Sequence, residues 1–260
     1  QVSIAKPLAG GFYRWGSQIE FEMSVSDAED GTTQNGGISC DSVAFQPLIG
    51  HNDHSHPLDE FNACDGVFDV VSGHGGDADN LFYLVEGRYT DRGAPGVGRL
   101  TGRALQKINP LRIEAEHFTI NNGVQIETTG DVLGGGENIG FIEHGDYVAF
   151  ENINLKNIDY MTFRVASAGA GGQIVVLTGS TSGTLVGNAF VDVTGDWQVY
   201  RNVTIPITDP GGNNTLFFVF INQPGQSLFN INWIDFHGDG ISVPDPSSPD
   251  GLSAVYYDAP

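Results

Sequence analysis

Two acidic residues separated by a single position, Glu114 and Glu116, are the first side chains in this sequence that could do chemistry. Side chains two positions apart in a β-strand point to the same face, about 7 Å apart, so both carboxylates can bind one hard cation. Calcium takes six to eight oxygen ligands, commonly from carboxylates and backbone carbonyls. Asp235, far along the sequence, is the candidate third acid. The spacing therefore predicts a Ca²⁺ site, although the two glutamates could equally lie on the solvated face of an edge strand.

The same carboxylate spacing also falls within the range of about 5 to 9.5 Å that glycosidases use. Catalysis requires two carboxyl groups in different environments across a bound sugar, whereas neighbours on one short strand share one environment. We therefore expect no active site at this pair. Serine-nucleophile, phosphate-loop and dinucleotide-binding motifs are absent from the sequence.

Histidines are concentrated in a second region, at residues 50–57 and again at position 74. Neutral imidazoles favour zinc and copper, so these residues could hold such a metal if folding brings them together. A histidine-rich polar turn without CxxC or HExxH spacing is more often simply solvated. The candidate ligands are His51, Asp53, His54, His56 and His74.

The charge balance narrows the classes of partner. With 32 acidic and 11 basic residues the chain carries a formal charge of −21, which repels phosphate backbones and anionic lipid. We therefore expect no nucleic-acid partner and no membrane partner, and no apolar run reaches the roughly 18 residues of a membrane span. Neutral polymers and divalent cations remain compatible with this charge.

The two cysteines, Cys40 and Cys64, lie in loop-like contexts without a CxxC or Cys/His pattern. An even pair of this kind predicts one disulfide that closes a loop of about 25 residues. Disulfides persist in oxidising compartments. The pair therefore predicts a secreted, extracellular protein.

The composition favours β-structure, because 36 glycines, only 17% charged residues and short apolar runs are typical of strands joined by tight turns. We expect an all-β chain of two β-sandwich domains with almost no helix. Residues 18–25 alternate polar and apolar side chains, as in a half-buried strand of the first domain, residues 1–108. The joint falls at Asn109 and Pro110, because proline stiffens a link and cannot donate to a strand ladder.

The spacing of strand-like runs in the second domain, residues 111–237, predicts a jelly-roll or similar two-sheet sandwich. One of these runs covers residues 197–200. Beyond residue 237 the composition changes to proline, serine and aspartate, which predicts a linker over residues 238–260. Its last residues resemble the first strand of a further module.

Two stretches of the sequence resemble known families. Residues 12–31 are similar to the opening of immunoglobulin-like and polycystic-kidney-disease-type domains, in which a strand runs into an Asp-x-Glu-Asp-Gly turn. Five motifs in the second domain together resemble a family 6 carbohydrate-binding module, a jelly-roll with structural calcium. These motifs lie at residues 113–116, 134–142, 145–147, 194–198 and 229–233.

The resemblance implies a main cleft in which two aromatic rings hold a sugar and an asparagine bonds its hydroxyls. The matching positions are Phe141, Trp197 and Asn230, with Asn232 as a second amide on the same strand face. Phe141 stands where Tyr or Trp is usual, so stacking is kept but a phenolic hydrogen bond is lost.

A second cleft on a sheet face, present in some family members, would use Tyr147 and Glu127. Tyr147 can also be interpreted as an ordinary surface aromatic. For Trp233 we predict core packing, because strand alternation places it opposite Asn230 and Asn232.

The expected function is that of a non-catalytic polysaccharide-binding module in a secreted, multidomain carbohydrate-active enzyme. The resemblance implies a covalently attached catalytic domain and a ligand among xylan, β-glucan and algal galactan. The acidic composition, with few lysines, is compatible with a marine bacterium. Two alternatives are a glycan-degrading or glycan-oxidising enzyme and a purely structural or adhesive spacer.

Overall fold

Apolar and polar side chains alternate along strand β3 (Gln18–Asp27), so one face of the strand is buried and the other faces solvent. Ile19, Phe21, Met23 and Val25 are buried there, whereas the intervening residues point outward. The structure is a computed structural model that describes residues 1–71 and 79–244. The predicted half-buried strand at residues 18–25 is confirmed.

The first domain is built from two sheets that enclose one apolar core. In one sheet β3 pairs with β1, β4 and β8, and the other has the order β2-β10-β9-β5-β6 with β7 also paired to β5. The strands are β1 (Val2–Lys6), β2 (Phe12–Tyr13), β3, β4 (Gly31–Thr32), β5 (Val43–His51), β6 (His54–Pro57), β7 (Phe61–Asn62), β8 (Asp65–Asp69), β9 (Leu81–Thr90) and β10 (Thr101–Pro110).

The second domain also consists of two sheets around its own core. One sheet has the order β13-β14-β21-β16-β19 with β11 paired to β21, and the other has the order β12-β15-β20-β17-β18. The strands are β11 (Arg112–Glu114), β12 (Ile120–Asn122), β13 (Gln125–Thr128), β14 (Glu137–Gly140), β15 (Tyr147–Ile153), β16 (Ile158–Ala166), β17 (Gly172–Thr178), β18 (Thr184–Val191), β19 (Tyr200–Pro206), β20 (Asn214–Ile221) and β21 (Asn230–Gly238).

The expectation of an all-β chain with two β-sandwich domains is confirmed. Helical structure within the described residues amounts to two 3₁₀ turns, Cys40–Ser42 and Ala115–His117. In the same part of the chain, no helical segment has the length and apolar character of a membrane span. The immunoglobulin-like character of the first domain stays a prediction.

The two cores meet at the adjacent residues of β2. Phe12 belongs to the core of the second domain, where its ring lies 4.1 Å from that of Phe236. Tyr13 belongs to the core of the first domain, with its ring edge-on to Tyr83 at 5.3 Å. Since neighbouring residues of one strand serve opposite cores, the two domains form one continuous packed body.

The predicted joint at Asn109 and Pro110 is part of a strand. Strand β10 continues through both residues and pairs in parallel with β2. The Asn109 side-chain amide donates to the backbone oxygens of Gly10 at 3.0 Å and Asn152 at 2.8 Å, one in each domain. A strand-terminal proline is compatible with such pairing, because its missing N–H lies at the end of the ladder.

The chain returns to the first domain after β21. The backbone N–H of Ile241 donates to the Phe12 oxygen at 2.8 Å, and that of Val243 donates to the Gln18 oxygen at 2.8 Å. Residues 239–243, at the start of the predicted linker, therefore hold the two domains together. The rest of that predicted linker, residues 245–260, lies outside the described residues, as does the predicted start of a further module.

The predicted disulfide between Cys40 and Cys64 is confirmed. The two residues are bonded, with their Cα atoms 5.1 Å apart and a sequence separation of 24. A loop of this length corresponds to a stabilisation of about 3 kcal/mol by chain entropy.

Candidate functional site

The predicted main cleft lies at one end of the β13-β14-β21-β16-β19 sheet. Strand β14 ends there at Gly140 and β21 begins there at Asn230, so Phe141 directly follows one strand and Asn230 opens its neighbour. Trp197 lies in the connection from β18 to β19, and not in a strand as the run at residues 197–200 predicted. We refer to Phe141, Trp197, Asn230 and Glu127 together as the Trp197 cleft.

Both aromatic rings of the Trp197 cleft face solvent. The Phe141 side chain is 58% exposed and Trp197 is 36% exposed, although both are large and apolar. Phe141 has a φ of +58°, a left-handed conformation that is costly for a bulky residue and is typical of functional positions. A Cβ atom on Gly169 would lie 2.7 Å from Trp197 Cη2, so this glycine gives the indole ring room to pack against the backbone.

A hydrogen-bonded pair, Asn230 and Glu127, forms the polar floor of the Trp197 cleft. Asn230 Nδ2 donates to Glu127 Oε1 at 2.8 Å and to the backbone oxygen of Trp197 at 3.1 Å. Glu127 Oε1 also accepts from the Nδ2 atom of the fully buried Asn138 at 3.2 Å. Asn230 thus fixes the position of the tryptophan loop and of the carboxylate. Glu127 lies in the main cleft and not in the second cleft, where the sequence placed it.

Asn232 is not exposed in the cleft. Its side chain is fully buried and its Nδ2 atom donates to Asp131 Oδ2 at 2.9 Å. Arg164 binds the same carboxylate through Nε at 2.6 Å and Nη2 at 3.0 Å. Burial alone would raise the pKa of Asp131, but the hydrogen bonds from Arg164 and Asn232 outweigh it and lower that pKa. The predicted sugar contact of Asn232 is therefore replaced by a structural role.

The two residues of the predicted second cleft lie in different sheets. Tyr147 opens β15, whereas Glu127 belongs to β13 of the other sheet. The Tyr147 ring is half-buried and packs at 5.7 Å from the ring of Phe217. This placement agrees with an ordinary surface aromatic.

Glu114 and Glu116 are both buried, so they do not lie on a solvated face. Glu114 ends β11, but Glu116 lies in the 3₁₀ turn that follows, so the two do not share one strand as predicted. Glu114 Oε2 accepts from the Gly135 N–H at 3.2 Å, while Glu116 Oε2 is buried without a hydrogen-bond partner among the described residues. Burial, reinforced by the nearby Glu114 and Glu137 carboxylates, raises the pKa of Glu116 to about 8. Two adjacent buried carboxylates with an unpartnered oxygen are suited to a hard cation.

Asp235, the predicted third calcium ligand, has a different partner. Both of its oxygens accept from Arg112, Oδ1 from Nε at 2.6 Å and Oδ2 from Nη2 at 2.8 Å. The bidentate pair neutralises this carboxylate, so Asp235 is not available as predicted. Arg112 was not among the predicted site residues, although an arginine in a partly buried strand needs an acidic partner.

Trp233 is buried as predicted, but strand alternation is not the reason. The pairing of β16 with β21 shifts register between Phe163 and Val165, which are opposite Ile234 and Ile231. Trp233 is covered instead by Arg112, whose guanidinium carbon lies 3.9 Å from the centre of its ring. Arg112 thus combines a cation–π contact with the Asp235 ion pair.

Three histidines of the predicted cluster lie together at the end of the β5–β6 hairpin. One ring nitrogen from each of His51, His54 and His56 lies within 4.8 Å of the other two. Asp53 lies in the same turn, with its Oδ1 atom 3.2 Å from His54 Nδ1. His74 lies outside the described residues.

Comparison with known proteins agrees with this geometry. The model of the carbohydrate-binding module family 6 matches residues 114–238. Endo-1,4-β-xylanase A of Thermoclostridium stercorarium is 30% identical over 176 residues, which cover 67% of this chain and 31% of the xylanase. The chain spans about a third or less of the length of the curated relatives it matches.

Two solved structures are similar to the second domain. A family 6 module from Clostridium cellulolyticum in complex with xylose is 38% identical, over 48% of this chain and 95% of the module, with a TM-score of 0.45. A β-1,3-glucan-binding family 6 module from Bacillus halodurans is also 38% identical, over 49% of this chain and 95% of the module, with a TM-score of 0.47. Through residues 114–238, this chain belongs to carbohydrate-binding module family 6, and this part of it is a non-catalytic sugar-binding module.

Proposed function

We propose that the Trp197 cleft binds a neutral polysaccharide with a β-linked pyranose backbone. The observation that carries this proposal is the exposure of two aromatic side chains, Phe141 and Trp197, around the hydrogen-bonded Asn230–Glu127 pair. A pyranose ring presents apolar C–H faces that stack on aromatic planes. Its hydroxyls donate to carboxylate and amide oxygens such as those of Glu127 and Asn230.

The charge of the chain favours a neutral ligand over a sulfated or carboxylated one. A formal charge of −21 repels polyanions. Among neutral glycans, we propose xylan or β-1,3-glucan, because the two similar modules carry xylose and bind β-1,3-glucan. Agar-type galactan is the third candidate.

We further propose that Glu114 and Glu116 hold a Ca²⁺ ion. The buried, unpartnered Oε2 atom of Glu116 and the neighbouring buried carboxylate of Glu114 support this assignment. A bound cation would remove the repulsion between them and link β11 to the following 3₁₀ turn. Asp235 is left out of this ligand set because Arg112 occupies both of its oxygens.

In the full-length protein, the module would hold an attached catalytic domain near its polysaccharide. A shallow aromatic cleft gives modest affinity, because few sugar atoms are buried. Covalent linkage converts that affinity into a high effective concentration of enzyme at the substrate. The Cys40–Cys64 disulfide supports an oxidising, extracellular location for this role.

The proposal is tested by affinity gel electrophoresis of the whole 260-residue chain. Parallel gels contain xylan, soluble β-1,3-glucan, agar-type galactan or no polysaccharide, all with Ca²⁺ present. Slower migration with xylan or β-1,3-glucan supports the proposal. Slower migration in the galactan gel alone would reject xylan and β-1,3-glucan as the ligands and leave galactan, and unchanged migration in all gels would reject glycan binding at the cleft.

A further inference from the structure

The end of the β5–β6 hairpin carries three imidazoles on one face. His51 and His54 are opposite each other across the hairpin, and His56 follows His54 by two positions, so all three side chains share one side of the ladder. The His51 ring centre lies 4.0 Å from that of His54 and 5.4 Å from that of His56. The three rings therefore form one compact cluster, well away in sequence from the Trp197 cleft.

The backbone beneath this histidine cluster is held firmly. Strand β5 pairs along its whole length with β9, from Val43 opposite Tyr89 to His51 opposite Leu81. At the turn, Asn52 adopts a left-handed φ of +54°, its N–H donates to the Asn80 oxygen at 3.1 Å, and its Oδ1 accepts from the Asn80 N–H at 3.2 Å. A site on paired strands with a locked turn is pre-organised for its ligand.

The distances between ring nitrogens match a tetrahedral metal. A zinc–nitrogen bond of about 2.1 Å in tetrahedral geometry separates two ligand nitrogens by about 3.4 Å. His51 Nε2 and His56 Nε2 are already 3.3 Å apart, and the three histidines can each offer one ring nitrogen within 4.8 Å of the other two. A small rotation of the three side chains, two of them exposed, completes the triangle.

Asp53 supplies the orientation that metal-binding histidines commonly have. Its Oδ1 atom lies 3.2 Å from His54 Nδ1. Because a carboxylate accepts, a hydrogen bond here requires the proton on Nδ1 and leaves Nε2 free to bind a metal. A carboxylate behind a ligating imidazole fixes its tautomer and raises its basicity. The formal charge of −21 also favours the approach of a divalent cation.

We propose that His51, His54 and His56 bind a first-row transition-metal ion of the Zn²⁺ or Cu²⁺ class, with Asp53 as the positioning residue for His54. Three neutral nitrogen ligands favour these ions over Ca²⁺, which takes oxygen ligands. The site is thus chemically distinct from the Glu114–Glu116 pair. Three protein ligands leave a fourth position for water or another oxygen ligand.

The proposal is tested on the untagged full chain, saturated with Ca²⁺ so that the carboxylate pair does not compete. Calorimetric titration with ZnCl₂ is expected to give one site per chain, and titration with CoCl₂ should produce the visible d–d bands of tetrahedral Co²⁺. His54→Ala and His56→Ala should each lower the Zn²⁺ affinity at least about tenfold, and Asp53→Ala should lower it by about tenfold.

His144→Ala is the matched control, because His144 is an exposed histidine of the second domain whose Nδ1 accepts from the Asn222 N–H. It should leave the Zn²⁺ affinity unchanged. Absence of Zn²⁺ binding, or affinities in His54→Ala and His56→Ala equal to that of the control, would overturn the proposal. If an alanine variant melts early in chelator, His56→Gln provides the same test with the side-chain volume kept.

Discussion

Asn230 Nδ2 lies 2.8 Å from Glu127 Oε1, although the two residues are 103 positions apart in sequence. The same amide donates to the backbone oxygen of Trp197. One buried side chain therefore connects the carboxylate of β13 with the loop that carries the exposed indole. Asn230 therefore links the polar floor of the Trp197 cleft to the loop that carries the indole ring. A substitution in the polar floor should alter the position of both.

Glu127→Ala should weaken glycan binding at least about tenfold, or 1.4 kcal/mol. The change removes an acceptor for sugar hydroxyls from the floor and leaves Asn230 held only by the Trp197 oxygen. It also leaves the buried Asn138 amide without its acceptor, which costs about 1–3 kcal/mol in folding stability. Calorimetric titration with the best glycan from the gel assay measures the affinity. Glu127→Gln keeps an accepting oxygen and should lose less. Equal, unchanged affinities in both variants would exclude Glu127 from the cleft.

Asn232→Ala should lower stability without changing the affinity of the folded module. Asn232 Nδ2 donates to Asp131, so its removal weakens the buried Asp131–Arg164 pair and should cost about 1–3 kcal/mol in the free energy of unfolding. Urea denaturation measures the cost, and titration with glycan measures the affinity. If Asn232→Ala has normal stability but no longer binds glycan, the structural role is wrong and Asn232 contacts the sugar directly, as the sequence predicted.

Chelation of Ca²⁺ should lower the melting temperature by about 5 to 10 °C if the ion is present at about 100 times its Kd. Glu116→Gln should abolish this sensitivity, because it removes a ligand of the buried carboxylate pair. In chelator this variant should melt no lower than the parent chain, since it no longer buries an ionisable carboxyl group. Glu143→Gln, a change at an exposed acid, serves as the control. If chelator lowers the melting temperature of the parent chain and of Glu116→Gln equally, the assignment of Ca²⁺ to Glu114 and Glu116 is wrong.

The first domain should lose stability in acid through Asp30. Its Oδ2 atom accepts from Tyr89 Oη at 2.6 Å and from the Arg92 N–H at 2.8 Å, and these hydrogen bonds lower the pKa of Asp30. A lowered carboxyl pKa stabilises the fold above the ordinary value of 3.8, and this contribution is lost as the pH falls through the folded-state pKa. Melting curves between about pH 5 and pH 2 follow this loss.

Tyr89→Phe should reduce the loss of melting temperature between about pH 5 and pH 2, because it removes the hydrogen bond from Tyr89 Oη to Asp30. On the alkaline side, burial and then Asp30 raise the pKa of Tyr89 from 10.0 to about 12. The raised pKa stabilises the fold below pH 10.0, and this contribution disappears as the pH rises towards about 12. Tyr160→Phe, at an exposed ring, is the control. If the melting temperature falls equally steeply in acid for the parent chain, Tyr89→Phe and Tyr160→Phe, the assignment to Asp30 is contradicted.

Local sequence signals predicted much of the fold, because periodicity and turn residues report on each strand separately. They failed for Trp197, where an apolar run suggested a strand. Gly195 has a φ of +103°, and Asp196 Oδ1 accepts from the Gln198 N–H at 2.9 Å. These two features form a turn that keeps the indole in a loop. Gly195 and Asp196 are turn-forming residues that the sequence shows, and their preference for a turn outweighs the strand preference of the apolar run.

The positions of Glu127, Asn232 and Phe12 depend on long-range contacts, which the periodicity of a single strand does not reveal. Glu127 was matched to the second cleft by motif, but its hydrogen bonds to Asn230 and Asn138 assign it to the main one. Asn232 lies in the irregular stretch between Ile231 and Ile234 and donates to Asp131 in a buried network, which strand alternation alone does not predict. Phe12 lies in the core of the second domain, although more than 100 positions separate it from most of its neighbours there. Such long-range pairings are determined by the whole fold.

The most direct test of the central claim compares glycan affinity in Trp197→Ala and Tyr147→Ala by calorimetric titration. Both variants remove an aromatic ring, but Trp197 lies in the cleft with Asn230 and Tyr147 lies on the other sheet. The account predicts that Trp197→Ala loses more than about tenfold in affinity, at least 1.4 kcal/mol, while Tyr147→Ala stays within about twofold of the parent chain, about 0.4 kcal/mol. Full affinity in folded Trp197→Ala together with lost binding in Tyr147→Ala would contradict it.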